Sequence, residues 1–178
     1  MKVKVSDEQK ERRRRNHSAP YRCFGRSSIR TGLVVKFNSN ADDVAKINTV
    51  LEEFRQDIIH KDGYALTKLV LNPNVLFHAL DDQEQVDSTR KYNSQFNGID
   101  PSALDGFAKL LATSKDKLEE KYRNMEIRQD GDLGLATFNY DFVINDKVHH
   151  CGVEHWILYK IDGQWKILSV VWTRRTPE

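Results

Sequence analysis

Val153-Glu154-His155-Trp156-Ile157-Leu158-Tyr159-Lys160-Ile161-Asp162-Gly163-Gln164-Trp165-Lys166-Ile167 is the stretch that decides the fold. An apolar run stops at Asp162-Gly163 and resumes at once with Trp165. An Asp-Gly pair between two such runs marks a tight hairpin, because the favoured two-residue turns need positive φ. Strands are therefore predicted over His149–Ile161 and Trp165–Thr173. Reading backwards, Asn145-Asp146-Lys147 is a turn and Leu135–Ile144 a strand. In that strand Phe138, Tyr140 and Phe142 alternate with Thr137, Asn139 and Asp141. Asp130-Gly131 closes a first strand, Tyr122–Gln129. A sustained period of two predicts an antiparallel meander with its aromatic stripe turned to a core.

Upstream the period is helical. Val44, Ile47, Leu51, Phe54 and Ile58 recur at spacings of three and four, on one helical face. Asn40 or Ser39 can cap this helix, and Asp42-Asp43 suits its positive end. Lys61-Asp62-Gly63 stops it. Tyr64, Leu66, Leu69 and Val70 predict a second short helix ended by Asn72-Pro73, and Val75–Leu80 a strand. Residues 81–100 read as a loop or irregular helix. Asp100-Pro101 opens a third helix, with Leu104, Phe107, Leu111 and Leu118 as its stripe. Helices first and a meander last imply an α+β domain, with helices covering one face of the sheet.

The net charge of +2 hides an asymmetry, since residues 1–40 hold eleven Lys/Arg against three Asp/Glu. Residues 1–40, with Arg12-Arg13-Arg14-Arg15, read as a basic extension, disordered or foreign to the fold. The alternative is an arm that docks on nucleic acid or another polyanion. The domain is expected over residues 41–178. No apolar run approaches the ~18 residues of a membrane span, and the N-terminus lacks the apolar stretch of a secretory signal. Cys23 and Cys151 stand far apart without CxxC spacing. A cytoplasmic setting is expected.

The element order, together with the D-G-x-W-K-I ending at Asp162–Ile167, resembles the nuclear transport factor 2-like superfamily. That group includes the SnoaL-like cyclases, ketosteroid isomerase and scytalone dehydratase. The resemblance covers residues 41–175. It implies a cone-shaped α+β barrel, three N-terminal helices packed on a curved, mainly antiparallel sheet around an apolar cavity. It also implies a homodimer formed through the outer sheet face.

The resemblance further puts His78 where the isomerase keeps its general base, and Glu154 where it keeps a protonated acid. A histidine base near neutral pH and a glutamic acid with a raised pKa suit enolisation, dehydration or cyclisation of a small carbonyl compound. Phe54 stands where the isomerase has a tyrosine, so a steroid isomerase is not expected. Phe138, Tyr140, Phe142 and Trp156, which share an inward parity, are expected to line the cavity with Phe54. Counting from Trp165 puts Ser169 and Val171 inside as well, and Trp172 outside.

His149, Cys151 and His155 share a strand face, but His155 lies about 20 Å from His149 along an extended chain, beyond one ion's reach. No metal and no cofactor are expected. The leading reading is a SnoaL-like small-molecule-binding protein, of lyase or isomerase type, for a small apolar or carbonyl-containing molecule. The alternatives are a non-catalytic dimeric module and polyanion binding through residues 1–40.

Overall fold

The computed structural model describes residues 37–100 and 104–177. The Arg12–Arg15 run, Cys23 and the reading of Pro101 as a helix start lie outside them. The described chain runs α1 (Ala41–His60), α2 (Gly63–Leu69), β1 (Leu76–Asp81), α3 (Gln83–Arg90), β2 (Ile99–Asp100), α4 (Leu104–Thr113), β3 (Leu118–Asp130), β4 (Leu133–Ile144), β5 (Lys147–Ile161) and β6 (Gln164–Arg174). The described residues thus form four helices rather than three. The polar stretch after β1 supplies the extra one, capped by Asp82, whose carboxylate accepts from the Gln85 amide. No helix of the described residues is long and apolar enough to cross a membrane.

The strands form one mixed sheet in the order β2-β1-β6-β5-β4-β3. Among these strands only the β1–β6 pair is parallel. The sheet does not close on itself; β2 and β3 are its edges. Three positive-φ turns shape the meander, at Gly131, at Asn145-Asp146 and at Asp162-Gly163. Helix α1 lies across one face and buries Ile47, Val50, Leu51, Phe54 and Ile58 against Phe138, Trp156, Leu158, Trp165 and Ile167.

Asn40 caps α1 by accepting from the Asp42 amide. Ser39 instead ties the chain to β3, accepting from the Gln129 amide and donating to its carbonyl. Asp43 does more than face the helix dipole. It is buried and accepts from Lys160 Nζ at 2.9 Å and from Trp165 Nε1 at 3.1 Å, joining α1 to the β5–β6 hairpin.

Register shifts interrupt the period of two. One lies in β3 between Arg123 and Glu126, around Asn124, whose φ is +53°. A second falls at His149, where Phe142 faces His150 and Val143 faces Val148. A third falls at Leu168, where Leu158 faces Ile167 but Ile157 faces Ser169. Each extra residue reverses the parity of the strand beyond it and bends the backbone.

Candidate functional site

The space between α1, α4 and the covered sheet face is a half-enclosed cavity of about 410 Å³. Its walls are aromatic: Phe54 from α1, Phe77 from β1, Phe107 from α4, Tyr140 and Phe142 from β4, and Trp172 from β6. Phe107 bridges the layers, with ring centroids 6.2 Å from Phe54, 5.7 Å from Phe77 and 6.2 Å from Phe142. Gly106, Leu110 and Val170 complete the apolar wall. Four polar side chains reach the same space: Glu120, Glu154, His150 and Arg174.

Glu120 and Glu154 are each 5% exposed, and their carboxyl groups meet within hydrogen-bonding reach. They project from the same sheet face, on the two strands that flank β4, Glu120 opposite Phe142 and Glu154 opposite Phe138. Tyr140 on β4 lies between Tyr122 on β3 and Gly152 on β5; Glu120 sits two residues before Tyr122, and Glu154 two after Gly152. Tyr122 Oη donates to Glu120 Oε2 at 3.1 Å, and Trp156 Nε1 donates to Glu154 Oε2. Burial pushes both carboxyls upward, Glu120 to about 7. Glu154 is driven well above its usual range by burial and then by the neighbouring Glu120 charge. Two carboxyls this close in an apolar wall share a proton at neutral pH, so one can donate while the other accepts.

Gly152 makes room for this arrangement. A Cβ there would stand 2.0 Å from the Thr173 carbonyl oxygen, so the β5 and β6 backbones approach where only glycine fits. Tyr140 Oη donates to that same carbonyl at 3.0 Å.

His150 stacks on Phe142, with centroids 5.0 Å apart, and its Nδ1 lies 2.9 Å from His149 Nδ1. Burial lowers its pKa to about 4, helped by His149 and Arg174, so it is neutral at pH 7. Arg174 is already engaged. Its Nε donates to Asp81 Oδ1 at 2.7 Å, and its Nη2 lies 3.1 Å from Asp100 Oδ2.

The expected site residues divide. Phe54, Tyr140, Phe142 and Glu154 line the cavity. Phe138 and Trp156 are buried behind it; Phe138 packs on Tyr122 and Trp156, and Trp156 holds Glu154. Val171 and His78 do not reach it. They are register partners on the opposite sheet face, because the extra residue at Leu168 turns Val171 outward and Trp172 inward. Phe77, not His78, is the β1 residue facing the cavity, and the His78 ring bonds through Nδ1 to the Phe77 carbonyl at 2.8 Å.

Glu120 went unread because Leu118 fits the stripe of the preceding helix, which hides the true start of β3. That helix stops at Thr113, and Leu118, Glu120 and Tyr122 alternate inward. Among the described residues, no group of three or more His, Cys, Asp or Glu side chains is placed to hold a metal ion.

This architecture is shared with many solved structures. A nuclear transport factor 2-like (NTF2-like) protein from Cytophaga hutchinsonii superposes with a TM-score of 0.55 at 15% identity, over 77% of this chain and 100% of its own. A protein of unknown function with a cystatin-like fold from Nostoc punctiforme gives 0.55 at 13%, over 76% and 93%. A candidate dehydratase of the NTF2-like family from Streptomyces avermitilis gives 0.57 at 13%, over 76% and 98%. No protein-family model and no curated protein matches the chain. The chain has the nuclear transport factor 2-like, cystatin-like α+β fold; at these identities the likeness extends to fold alone.

Proposed function

We propose that the chain is a small-molecule-binding protein of the SnoaL-like kind. Its ligand is a compact apolar molecule with one polar group set against Glu120 and Glu154. The observation that carries this reading is the aromatic cavity lined by two buried carboxyls, Glu120 and Glu154. Pockets of a few hundred Å³, mostly apolar and with a few convergent polar groups, are the usual form of small-molecule sites. An acid and a base held side by side also meet the requirement of proton-transfer chemistry at neutral pH, so lyase or isomerase action is the enzymatic form of the reading. In this reading Glu120 takes the part that the family resemblance gave to His78.

Titration calorimetry with 1-naphthol, a neutral apolar body with one hydroxyl, tests the pocket. The comparison is Leu110→Trp, at a half-exposed position on the rim. Wild type should bind, and the tryptophan should weaken binding at least tenfold by filling the mouth. Equal binding by the two proteins, or none by either, would sink the reading.

A homodimer through the outer sheet face is a compatible part of the proposal. Leu133 and Tyr159 pair there across β4 and β5, and both are exposed with Leu168. Sedimentation of wild type against Tyr159→Glu decides it: a dimer that the charge dissociates supports the face, and a wild-type monomer rules it out.

A further inference from the structure

The charges around the cavity are one-sided. Glu120 and Glu154 face it from β3 and β5, each 5% exposed. The donors that reach them among the described residues, Tyr122 Oη and Trp156 Nε1, both go to Oε2 atoms. Beyond these donors the two carboxyls have only each other, and no Lys or Arg of the described residues bonds to either.

Every other titratable group described nearby is spent or uncharged. Arg174, the one cation lining the cavity among the described residues, carries Asp81 and Asp100 together, so that cluster is net acidic. Arg55 on α1 is bound by Glu52 through Nε at 2.9 Å and Nη2 at 2.6 Å. His150 is neutral beside His149, while Tyr122 and Tyr140 remain protonated phenols. An anion entering here meets no unengaged positive charge among the described residues. A neutral ligand leaves the acid pair without a counter-charge. A cation supplies one, and the six aromatic side chains around it present the ring faces and edges of an aromatic cage.

We infer that the cavity is built for a small organic cation, an ammonium group carrying an apolar body, lying against the Glu120 and Glu154 carboxylates as their counter-charge. The inference rests on the small-molecule reading above and names the ligand class. A fixed positive charge replaces the shared proton, which leaves to the buffer: protonated pair plus cation gives cation-bound pair plus one H⁺. Binding therefore strengthens as pH rises, because less of the protonated pair must be emptied.

The test uses isosteres that differ only in charge, trimethylphenylammonium and tert-butylbenzene, with benzoate as the anion. Titration calorimetry in phosphate and in Tris at pH 7 reads affinity and proton release together. The cation should bind at least tenfold more tightly than tert-butylbenzene, release close to one proton and tighten between pH 6 and pH 8. Benzoate should be the weakest of the three. Glu120→Gln and Glu154→Gln should each cost the cation at least tenfold and leave tert-butylbenzene unchanged, which also shows that the variants are folded. If tert-butylbenzene binds as tightly as the cation, or the cation binds without releasing a proton, the cation assignment falls and the pocket stands. If none of the three binds, both fall.

Discussion

Glu120 and Glu154 stand diagonally across Tyr140, on strands that flank β4 from either side, and form one buried pair with no basic side chain of the described residues bonded to it. Burying two carboxyls is costly unless a proton, a hydrogen bond or a bound charge compensates them. Here Tyr122, Trp156 and the shared proton compensate in part. That leaves a site whose protonation is coupled to folding and to whatever occupies the cavity.

The first consequence is a loss of stability as pH rises from the acid side towards neutrality. The unfolded carboxyl releases its proton near 4.5, while folded Glu120 keeps it until about 7. Between those values the native state binds the extra proton, so stability falls as pH rises through the window. At about 1.4 kcal/mol per unit, the loss is on the order of 3 kcal/mol. Urea unfolding of wild type from pH 5 to pH 8 should show the decline, and Glu120→Gln should make it shallower, leaving the part that buried Glu154 contributes. A wild-type curve parallel to that of the glutamine variant would refute the coupling.

His150 acts in the opposite sense. An unfolded imidazole takes up its proton near 6.5, whereas burial delays this to about 4 in the folded chain. Over that interval the unfolded state binds the extra proton, so stability is lost as pH falls from 6.5 towards 4. His150→Phe keeps a ring against Phe142 and removes the titration. The difference in unfolding free energy between the two proteins should therefore change with pH across this window and be level above it.

Two glycines should respond oppositely to alanine. At Gly152 the new methyl meets the Thr173 backbone, which a side-chain rotation cannot relieve. Gly152→Ala should cost about 3 kcal/mol or more, as overpacking against fixed backbone does. Gly106 sits in α4 with nothing within 4 Å of its would-be Cβ. Gly106→Ala should add roughly 0.5–1 kcal/mol through helix propensity. Thermal melts of the two variants provide the comparison.

His78→Ala should leave 1-naphthol binding unchanged and stability within about 0.5 kcal/mol, as for surface substitutions generally. Its ring lies on the far side of the sheet from the cavity, beside Val171. A tenfold loss of binding in this variant would contradict that placement.

The meander, its three turns and the aromatic stripe were legible in the chain because each follows from local chemistry. Alternating apolar side chains choose a strand, and Asp-Gly and Asn-Asp tolerate the positive φ of tight turns. Tyr140 and Phe142 lay within reach of that reading because each keeps its parity up to the nearest bulge, Phe54 through its place on the helical stripe of α1, and Glu154 through the family resemblance. What the chain alone could not decide was anything that depends on counting past a bulge. One extra residue at Leu168 exchanges Val171 for Trp172 at the cavity. No residue type announces it, because the bulge is selected by how β6 must bend to pair with β5 and β1 at once. The partner of Glu154 was hidden for a related reason. An inward glutamate breaks the hydrophobic alternation that marks a strand, so Glu120 looks like surface until register sets it beside a second acid. Local sequence determined which faces are apolar; tertiary pairing alone decided that two carboxyls, and no unengaged base of the described residues, meet inside one of them.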